Sequence, residues 1–468
     1  MNRTLRERSS TLVFVLLCAL VLIGPALYNG FPLVTSDSGA YINSGFHADV
    51  PDDRPVTYGL FIWASSLTFS LWFVILAQAL VLAAVLLRCL RLLAPAGLPL
   101  GWQLLLTLLT LWATGAGWFC SQLMPDIFTA IGLLTLALLL LDGELRGFWR
   151  GAALLLLLAS AMMHSSNLLI YTLVVAVLLV CVFSQHLVRR QLIRKAALVQ
   201  VTSMVLLSWV ALPSLHAALG GGFAVSRSSY MFVMGRLLES GVLDKFLTKN
   251  CTAESQYRLC QFRDKLPNDA ITFLWDANSV PGQTGGWEAN RAEYEEIIRN
   301  VLTHPRYYPA LASEAVQATL RQLASNSHGD GLFAYRENSN PYWKVQEYFN
   351  YELREYLSSL QQTSRLTFTD LNERLNLTLL LTTAALLLLL GTPLRQHLSP
   401  TARLWLVICL TGVVANAGVT GGLANVLSRL QTRVVWVLPW SVLLIVASHA
   451  PALVAAQRRK FKLFQKTL

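Results

Sequence analysis

Long apolar runs recur along most of this chain, and shorter polar segments separate them. Runs of about 17–25 apolar residues are long enough to form helices that cross a bilayer. Ten segments are of this kind, although 148–163 and 377–391 are short: 12–30, 70–92, 102–120, 125–141, 148–163, 167–184, 197–214, 377–391, 404–421 and 433–449. The pattern therefore predicts an all-α polytopic membrane protein with about ten transmembrane helices.

The apolar stretch 57–92 is too long for one span and awkward for two. Two spans in this stretch would reverse the orientation of every later helix. An interfacial helix at 57–68 followed by a single span keeps the later basic connections on one side of the membrane. We prefer this interpretation, and two full spans are the alternative.

Composition and charge agree with a membrane protein. Of the 468 residues, 54% are hydrophobic and 13% are charged, against roughly 25% charged residues in typical soluble domains. With the N-terminus in the cytoplasm, the inner connections and termini carry eighteen Lys and Arg residues, and the short outer connections carry only Arg54, Arg429 and Arg433. Basic residues favour the cytoplasmic side, so both termini are predicted to be cytoplasmic. This excess explains much of the net charge of +11, which requires no nucleic-acid partner.

The pattern divides the chain into three regions. Residues 1–214 form an N-terminal transmembrane module that includes a polar first loop, 31–68. Residues 215–376 are the one extended polar segment and are predicted to form a mostly helical periplasmic domain. Residues 377–468 contain the last transmembrane helices and a basic cytoplasmic tail. Cys251 and Cys260 are the only cysteine pair of the polar domain, and an oxidising periplasm favours a disulfide between them.

The first loop concentrates polar chemistry at a predicted membrane surface. Asp37 lies in the sequence Ser-Asp-Ser-Gly, which is typical of a tight turn whose backbone N–H groups can face an anion. Arg54 follows, and then an aromatic segment that begins at Tyr58. A loop that only joined two membrane helices would not need these groups, so we interpret 31–68 as a functional site.

Three further connections place ionisable residues at the same predicted face. Asp126 either complements the N-terminus of a helix or shares a cavity with Asp37. His164 is either a hydrogen-bonded structural residue or a ligand. Arg429 and Arg433 either anchor the last helix at the head-group layer or bind phosphate, for which the planar guanidinium is well suited.

The layout and one local motif resemble the GT-C superfamily of integral membrane glycosyltransferases, which includes protein O-mannosyltransferases and the lipid A aminoarabinose transferase. The matching residues are Asp37 and Tyr41, and then Arg54, Pro55, Tyr58, Gly59, Leu60 and Phe61. The local match covers about forty residues, and topology alone matches the rest. The sequence departs from the family in having one carboxylate, Asp37, where a pair is common, and His164 where some members carry a basic residue.

The resemblance implies a GT-C-like helical bundle and an inverting transfer of a sugar from a polyprenyl-phosphate donor to an extracytoplasmic glycan, lipid or protein acceptor. Asp37 is then the base, and Asp126 is a second catalytic carboxylate that orients the acceptor or assists a metal. The charge left on the phosphate needs positively charged partners, and the residues assigned to this role are Arg54, His164, Arg429 and Arg433. Tyr41 and Tyr58 are assigned to substrate binding. One or two carboxylates are too few for a dedicated metal cage, so no metal ligand is assigned and a role for a divalent metal stays open.

Two other classes fit a membrane protein with charged residues in its outer loops. A transporter or flippase for lipid or polysaccharide would also place charges in a membrane cavity. A non-catalytic envelope-assembly protein would tolerate the loss of Asp37. In each case the expected location is a membrane, most simply the bacterial inner membrane, with membrane lipids as partners.

Overall fold

The computed structural model describes residues 3–94, 98–183, 193–252 and 257–450, without the side chains of 3–8 and 182–183. Over these residues every regular element is helical, and β-pairing is confined to one isolated bridge between Leu33 and Gln122. The all-α class predicted from the apolar pattern is therefore confirmed. The predicted basic tail, within 451–468, and Arg189 and Arg190 lie outside the described residues.

The N-terminal region folds into a series of apolar helices joined by short connections. Each predicted span of this region coincides with one of these helices, except 102–120, which a turn at Gly115 divides between α5 and α6. Their bounds are α1 (Arg3–Asn29), α2 (Ser38–His47), α3 (Thr57–Ser66), α4 (Leu71–Leu93), α5 (Leu100–Thr114), α6 (Ala116–Cys120), α7 (Ile127–Leu141), α8 (Gly147–Met163), α9 (Ser165–Phe183) and α10 (Lys195–Ala218).

Residues 219–368 are named the outer segment, after their predicted location. Their helices are α11 (Ser229–Glu239), α12 (Val242–Asn250), α13 (Ala270–Trp275), α14 (Val280–Gln283), α15 (Gly286–Ala289), α16 (Arg291–Thr303), α17 (Tyr308–Ala324), α18 (Asn340–Tyr348) and α19 (Leu353–Ser358). Shorter 3-10 helices cover Arg258–Lys265, Pro305–Tyr307 and Asn350–Glu352.

The C-terminal region returns to long apolar helices. Its elements are α20 (Thr369–Gly391), a 3-10 helix (Pro393–His397), α21 (Pro400–Leu423), α22 (Ser428–Val435) and α23 (437–450). A turn at Trp436 separates α22 from α23.

Six helices in the described chain are long and apolar enough to cross a membrane, and they identify an integral membrane protein. They are Ser9–Asn29, Leu71–Leu93, Lys195–Ala218, Thr369–Gly391, Pro400–Leu423 and Ser428–Ala450, the last of which takes α22 and α23 together. The other four predicted spans coincide with the shorter apolar helices α5, α7, α8 and α9. A helix of 15 residues rises only about 22 Å, less than the roughly 30 Å of a bilayer core. The count of ten spans therefore stays a prediction.

The long apolar stretch 57–92 divides at a turn. Leu67 and Thr68, which follow α3, both have φ of 53°. Ser70 then caps α4, because its Oγ accepts a hydrogen bond from Trp72 N (3.2 Å). The ten residues of α3 rise about 15 Å, too little to cross a bilayer. The stretch therefore contains one helix of spanning length, as the preferred interpretation required.

The outer segment contributes to two hydrophobic cores. Residues 230–307 enclose a core of their own. The disulfide between Cys251 and Cys260, the pair that the sequence predicted, lies at its edge. The later helices α18 and α19 instead pack into the main core through buried rings such as Phe349 and Tyr356. This second part of the outer segment therefore contacts the first loop directly.

Candidate active site

The first loop is held in an extended conformation between two other parts of the chain. On one edge, Leu33 N donates to Ser121 O (2.9 Å) and Leu123 N donates to Leu33 O (2.8 Å). On the other edge, the Gln361 side chain bonds both backbone groups of Val34: Val34 N donates to Oε1 (3.1 Å), and Nε2 donates to Val34 O (2.6 Å). Because buried backbone groups need partners, these bonds fix the chain just before Asp37.

A tight turn then places Asp37 at the start of α2. Thr35 N donates to Ser38 Oγ (2.8 Å), and Ser38 N donates to Thr35 O (3.1 Å). Asp37 N donates to Thr35 Oγ1 (3.3 Å). The sequence predicted a turn whose backbone N–H groups face an anion. The N–H groups of Thr35, Asp37 and Ser38 bond within the turn instead, so these three groups are not free to face an anion.

Asp37 lies between two arginines that come from opposite ends of the sequence. Its Oδ1 is 3.0 Å from Arg54 Nη1, and its Oδ2 is 3.8 Å from Arg429 Nη2. Burial opposes ionisation of this carboxyl, but the two guanidinium groups outweigh burial and keep the pKa of Asp37 below its ordinary value. Asp37 is therefore a carboxylate at neutral pH, and its side chain is still 28% exposed.

Arg54 is fixed by contacts with two further residues. Its Nε and Nη2 donate to the two carboxylate oxygens of Asp53 (2.9 and 2.5 Å), and its guanidinium lies 5.2 Å from the centre of the Tyr41 ring. The second contact is a cation–π interaction that ties α2 to the residues before α3. The two helices approach closely because glycines face each other, and a Cβ on Gly45 would overlap the carbonyl oxygen of Gly59.

Arg429 is held less tightly at its guanidinium. Among the described residues, its one ion pair is the 3.8 Å contact with Asp37, and its side chain is 17% exposed. Its backbone is well fixed, because Arg429 N donates to Asp330 Oδ2 (3.3 Å). The Gln322 side chain also bonds both N (3.1 Å) and O (2.8 Å) of Leu427. Arg429 is therefore well positioned and keeps capacity to bind another anion.

A second ion pair lies deeper in the protein. Arg433 Nη1 is 2.9 Å from Asp126 Oδ1, and the two side chains are 0% and 1% exposed. Arg433 Nη2 donates to Ser166 Oγ (2.9 Å) and Asn416 Oδ1 (3.1 Å). Arg429 lies within electrostatic range of Asp126, so the two pairs belong together. We name this group the charged cluster, and its members are Asp37, Arg54, Asp126, Arg429 and Arg433.

Two of the predicted phosphate-binding residues do not offer a free positive charge. Arg433 is fully buried and paired with Asp126. His164 Nδ1 lies 2.8 Å from Ser166 Oγ, and burial together with Arg433 lowers the pKa of His164 to about 3. Its imidazole is therefore neutral at pH 7. Phosphate binding fits Arg54 and Arg429 but not these two side chains.

The two tyrosines predicted to bind substrate lie one behind the other in the core. Their ring centres are 5.1 Å apart in an edge-on arrangement, and Tyr41 and Tyr58 are 2% and 0% exposed. The Tyr58 hydroxyl donates to Gln78 Oε1 (2.8 Å), and Gln78 Nε2 donates to Cys120 O (2.8 Å). Tyr58 therefore supports Tyr41, which in turn supports Arg54, and neither ring is open to a substrate.

Sequence reasoning missed the side chains that hold this site in place. Asp53 stands next to Arg54 in the sequence, and this adjacency was the one available indication of their pairing. Gln322 and Gln361 come from the outer segment, and Gln361 is 327 residues from its partner Val34. No local pattern marks a glutamine as the partner of a distant backbone. Within the described part of the chain, no group of three His, Cys, Asp or Glu residues is placed to hold a metal ion.

The fold and the site together define an all-helical integral membrane protein in which the first loop and the last helices meet at a charged cluster. The chain matches no protein-family model, no curated protein and no solved structure.

Proposed function

We propose that this protein is a membrane glycosyltransferase of the GT-C type, which moves a sugar from a polyprenyl-phosphate donor to an acceptor hydroxyl. The observation that carries the proposal is Asp37, an ionised and partly exposed carboxylate with a guanidinium on each side. A carboxylate can accept the acceptor's proton, and the guanidinium groups can bind the phosphate. Sugar transfer from a lipid phosphate needs both groups in one place.

In the proposed reaction, the acceptor oxygen attacks the anomeric carbon of the sugar from the side opposite the phosphate. A new carbon–oxygen bond forms there, while the bond from that carbon to the phosphate oxygen breaks. The phosphate leaves with the electron pair, and Asp37 accepts the proton of the acceptor hydroxyl. A single displacement of this kind inverts the anomeric centre.

Arg429 is the leading candidate to bind the donor phosphate. Its contact with Asp37 is long, at 3.8 Å, whereas Arg54 is already paired with both oxygens of Asp53. A guanidinium can donate two hydrogen bonds to a phosphate, and it stabilises the negative charge that develops as the phosphate leaves. Asp126 is buried against Arg433, so its proposed part is to position the cluster rather than to contact the acceptor.

The proposed location is the bacterial inner membrane, with ten spans, both termini in the cytoplasm and the outer segment in the periplasm. The distribution of basic residues supports this orientation. A second support is that connections predicted to lie outside meet one another: Asp37 contacts Arg429, and Arg433 contacts both Asp126 and Ser166.

A lipid or polysaccharide transporter is the second candidate. The buried pair of Asp126 and Arg433 favours it, because charged pairs inside membrane domains also line transport pathways. A transporter moves the lipid-linked sugar intact, whereas a transferase separates the sugar from the lipid. This difference decides between the two.

The experiment uses the full-length protein in lipid nanodiscs with a radiolabelled polyprenyl-phosphate sugar and a membrane extract that supplies acceptors. Release of label from the lipid is measured for the wild type, for Asp37→Asn and for Asp49→Asn, which changes an exposed carboxylate of the same loop. Asp37→Asn should lower the rate by roughly 10²–10⁴-fold, the usual effect of a positioned general base. Asp49→Asn should react at the wild-type rate.

Arg429→Gln should raise KM, because the phosphate is already bound in the ground state, and it should also lower kcat, because the negative charge on the phosphate grows in the transition state. Wild-type transfer by Asp37→Asn would overturn the assignment of the base. If the wild type released no label but carried the intact lipid across vesicle membranes, the transporter would replace the glycosyltransferase.

A further inference from the structure

A large cavity lies between α20, α21 and α22, on a different side of α22 from the ion pairs already described. Its volume is about 510 Å³, within the range of roughly 300–1,000 Å³ that is usual for small-molecule sites. We name this cavity the groove. Its wall includes Leu379, Leu386, Leu390, Val413, Asn326 and Gln431.

The groove lies between helices of spanning length. Both α20 and α21 are long and apolar enough to cross a membrane. Only 17% of the most apolar 18-residue stretch of α20 is buried against the rest of the protein. α20 packs against α5, and Leu380 and Leu387 on α20 are 67% and 68% exposed. Exposed leucines on such a helix contact lipid in a bilayer, so a lipid chain can enter the groove from the side.

The groove has a polar end and a long apolar wall. From Leu379 to Gly391, α20 supplies a wall that is about 18 Å long. The hydroxyls of Thr382 and Thr383 in this wall donate to carbonyl groups of their own helix (2.7 and 2.8 Å), so they are already satisfied. Gln431 marks the polar end, and Asn416 links it to the charged cluster, because Asn416 bonds both Gln431 and Arg433.

Two amide side chains in the groove wall each have an atom without a partner. Gln431 is fully buried, and its Oε1 accepts from Asn416 Nδ2 (2.8 Å), but its Nε2 bonds no group in the described chain. Asn326 Nδ2 donates to Leu323 O (2.8 Å), whereas its buried Oδ1 likewise has no partner among the described residues. Buried polar atoms are normally hydrogen-bonded, so this wall needs one acceptor and one donor.

We propose that the groove binds a bilayer lipid whose hydrocarbon chain is joined to its headgroup through an amide or a hydroxyl-bearing link. Such a link supplies an acceptor for Gln431 Nε2 and a donor for Asn326 Oδ1 after a rotation of the side chains. A polyprenyl chain supplies neither, so this site differs from the donor site. The lipid head lies beside the charged cluster, because Asn416 bonds both Gln431 and Arg433. This inference stands independently of the transfer reaction.

The test is photolabelling of the full-length protein in nanodiscs with three probes that carry the same diazirine group in the hydrocarbon chain. The first is an N-acyl amino alcohol, the second is the matched methyl ester, which lacks a donor, and the third is a prenyl phosphate. Labelled peptides are identified by mass spectrometry. The N-acyl probe should label the α20 and α21 walls most strongly, and an excess of the unlabelled N-acyl lipid should abolish this labelling.

Asn326→Leu and Gln431→Met each remove one of the unpartnered atoms, and Thr383→Val is the matched control, because it changes a groove hydroxyl that is already satisfied. Each of the first two variants should reduce N-acyl labelling by roughly threefold to tenfold, the worth of one hydrogen bond, and Thr383→Val should not. Equal labelling by all three probes in the wild type would overturn the proposal, since hydrocarbon partitioning alone would explain it. This wild-type comparison decides the question even if a variant fails to fold.

Discussion

The buried pair of Arg433 and Asp126 allows a direct test of how the charged cluster is built. Arg433→Met keeps an unbranched chain but leaves Asp126 as an unpaired carboxylate that is 1% exposed. Removing one partner of a buried ion pair costs about 3–5 kcal/mol, because the remaining charge has lost both its partner and its solvent. We expect a loss of this size in the free energy of unfolding.

The double variant Arg433→Met with Asp126→Leu separates the charge from the packing. Replacing both members of a buried pair with apolar residues is often neutral or stabilising, so most of the loss should be recovered. Ser166 and Asn416 lose the guanidinium that they accept from. Each lost hydrogen bond is worth about 0.5–1.5 kcal/mol, so recovery should be incomplete.

Unfolding is followed by tryptophan fluorescence during SDS titration in mixed micelles. Trp436 is a nearby reporter, because its Nε1 donates to Arg433 O (3.0 Å). Arg263→Met is the matched control: its ion pair with Asp244 lies at the surface, away from the charged cluster, and such pairs contribute about 0–1 kcal/mol. A loss below about 1 kcal/mol for Arg433→Met, or a double variant less stable than the single one, would refute the coupling.

Two further predictions concern the helix contact beside Asp37 and the charge on His164. Gly45→Ala should push α2 away from Gly59 and cost about 1–3 kcal/mol, with a lower transfer rate, whereas Gly24→Ala, whose Cβ meets no atom within 4 Å, should do neither. Equal melting temperatures for these two variants would contradict the contact. Folding lowers the pKa of His164 to about 3. As the pH falls from about 7 to 5, His164 therefore takes up a proton in the unfolded chain but not in the folded chain. This proton uptake stabilises the unfolded chain, so the free energy of unfolding declines over this range. His164→Gln should lose less stability than the wild type between these pH values, and identical losses would show that His164 is not held neutral.

Local features of the sequence predicted much of the fold. The length and composition of apolar runs are properties of contiguous residues, so they indicated where α1, α4, α10, α20 and α21 would lie. The stretch 57–92 was correctly divided because no single helix of that length fits one bilayer. The disulfide between Cys251 and Cys260 was likewise predicted from two cysteines nine residues apart.

The sequence also named the residues of the charged cluster, but it did not determine their partners. Residue type and predicted side of the membrane selected Asp37, Asp126, Arg429 and Arg433. These criteria treated both arginines alike, as phosphate ligands. The structure separates them, because Arg433 is buried against Asp126, 307 residues away, while Arg429 keeps a long and partly exposed contact.

What only the tertiary structure decided is the environment of each group. The neutral state of His164 depends on burial and on Arg433, which is remote in sequence. The path of the first loop depends on Gln361, and the loop before Arg429 depends on Gln322. Burial and long-range hydrogen bonds arise from the way helices pack against one another. Hydrophobic periodicity determines which face of a helix is buried, but it does not specify the helix against which that face packs.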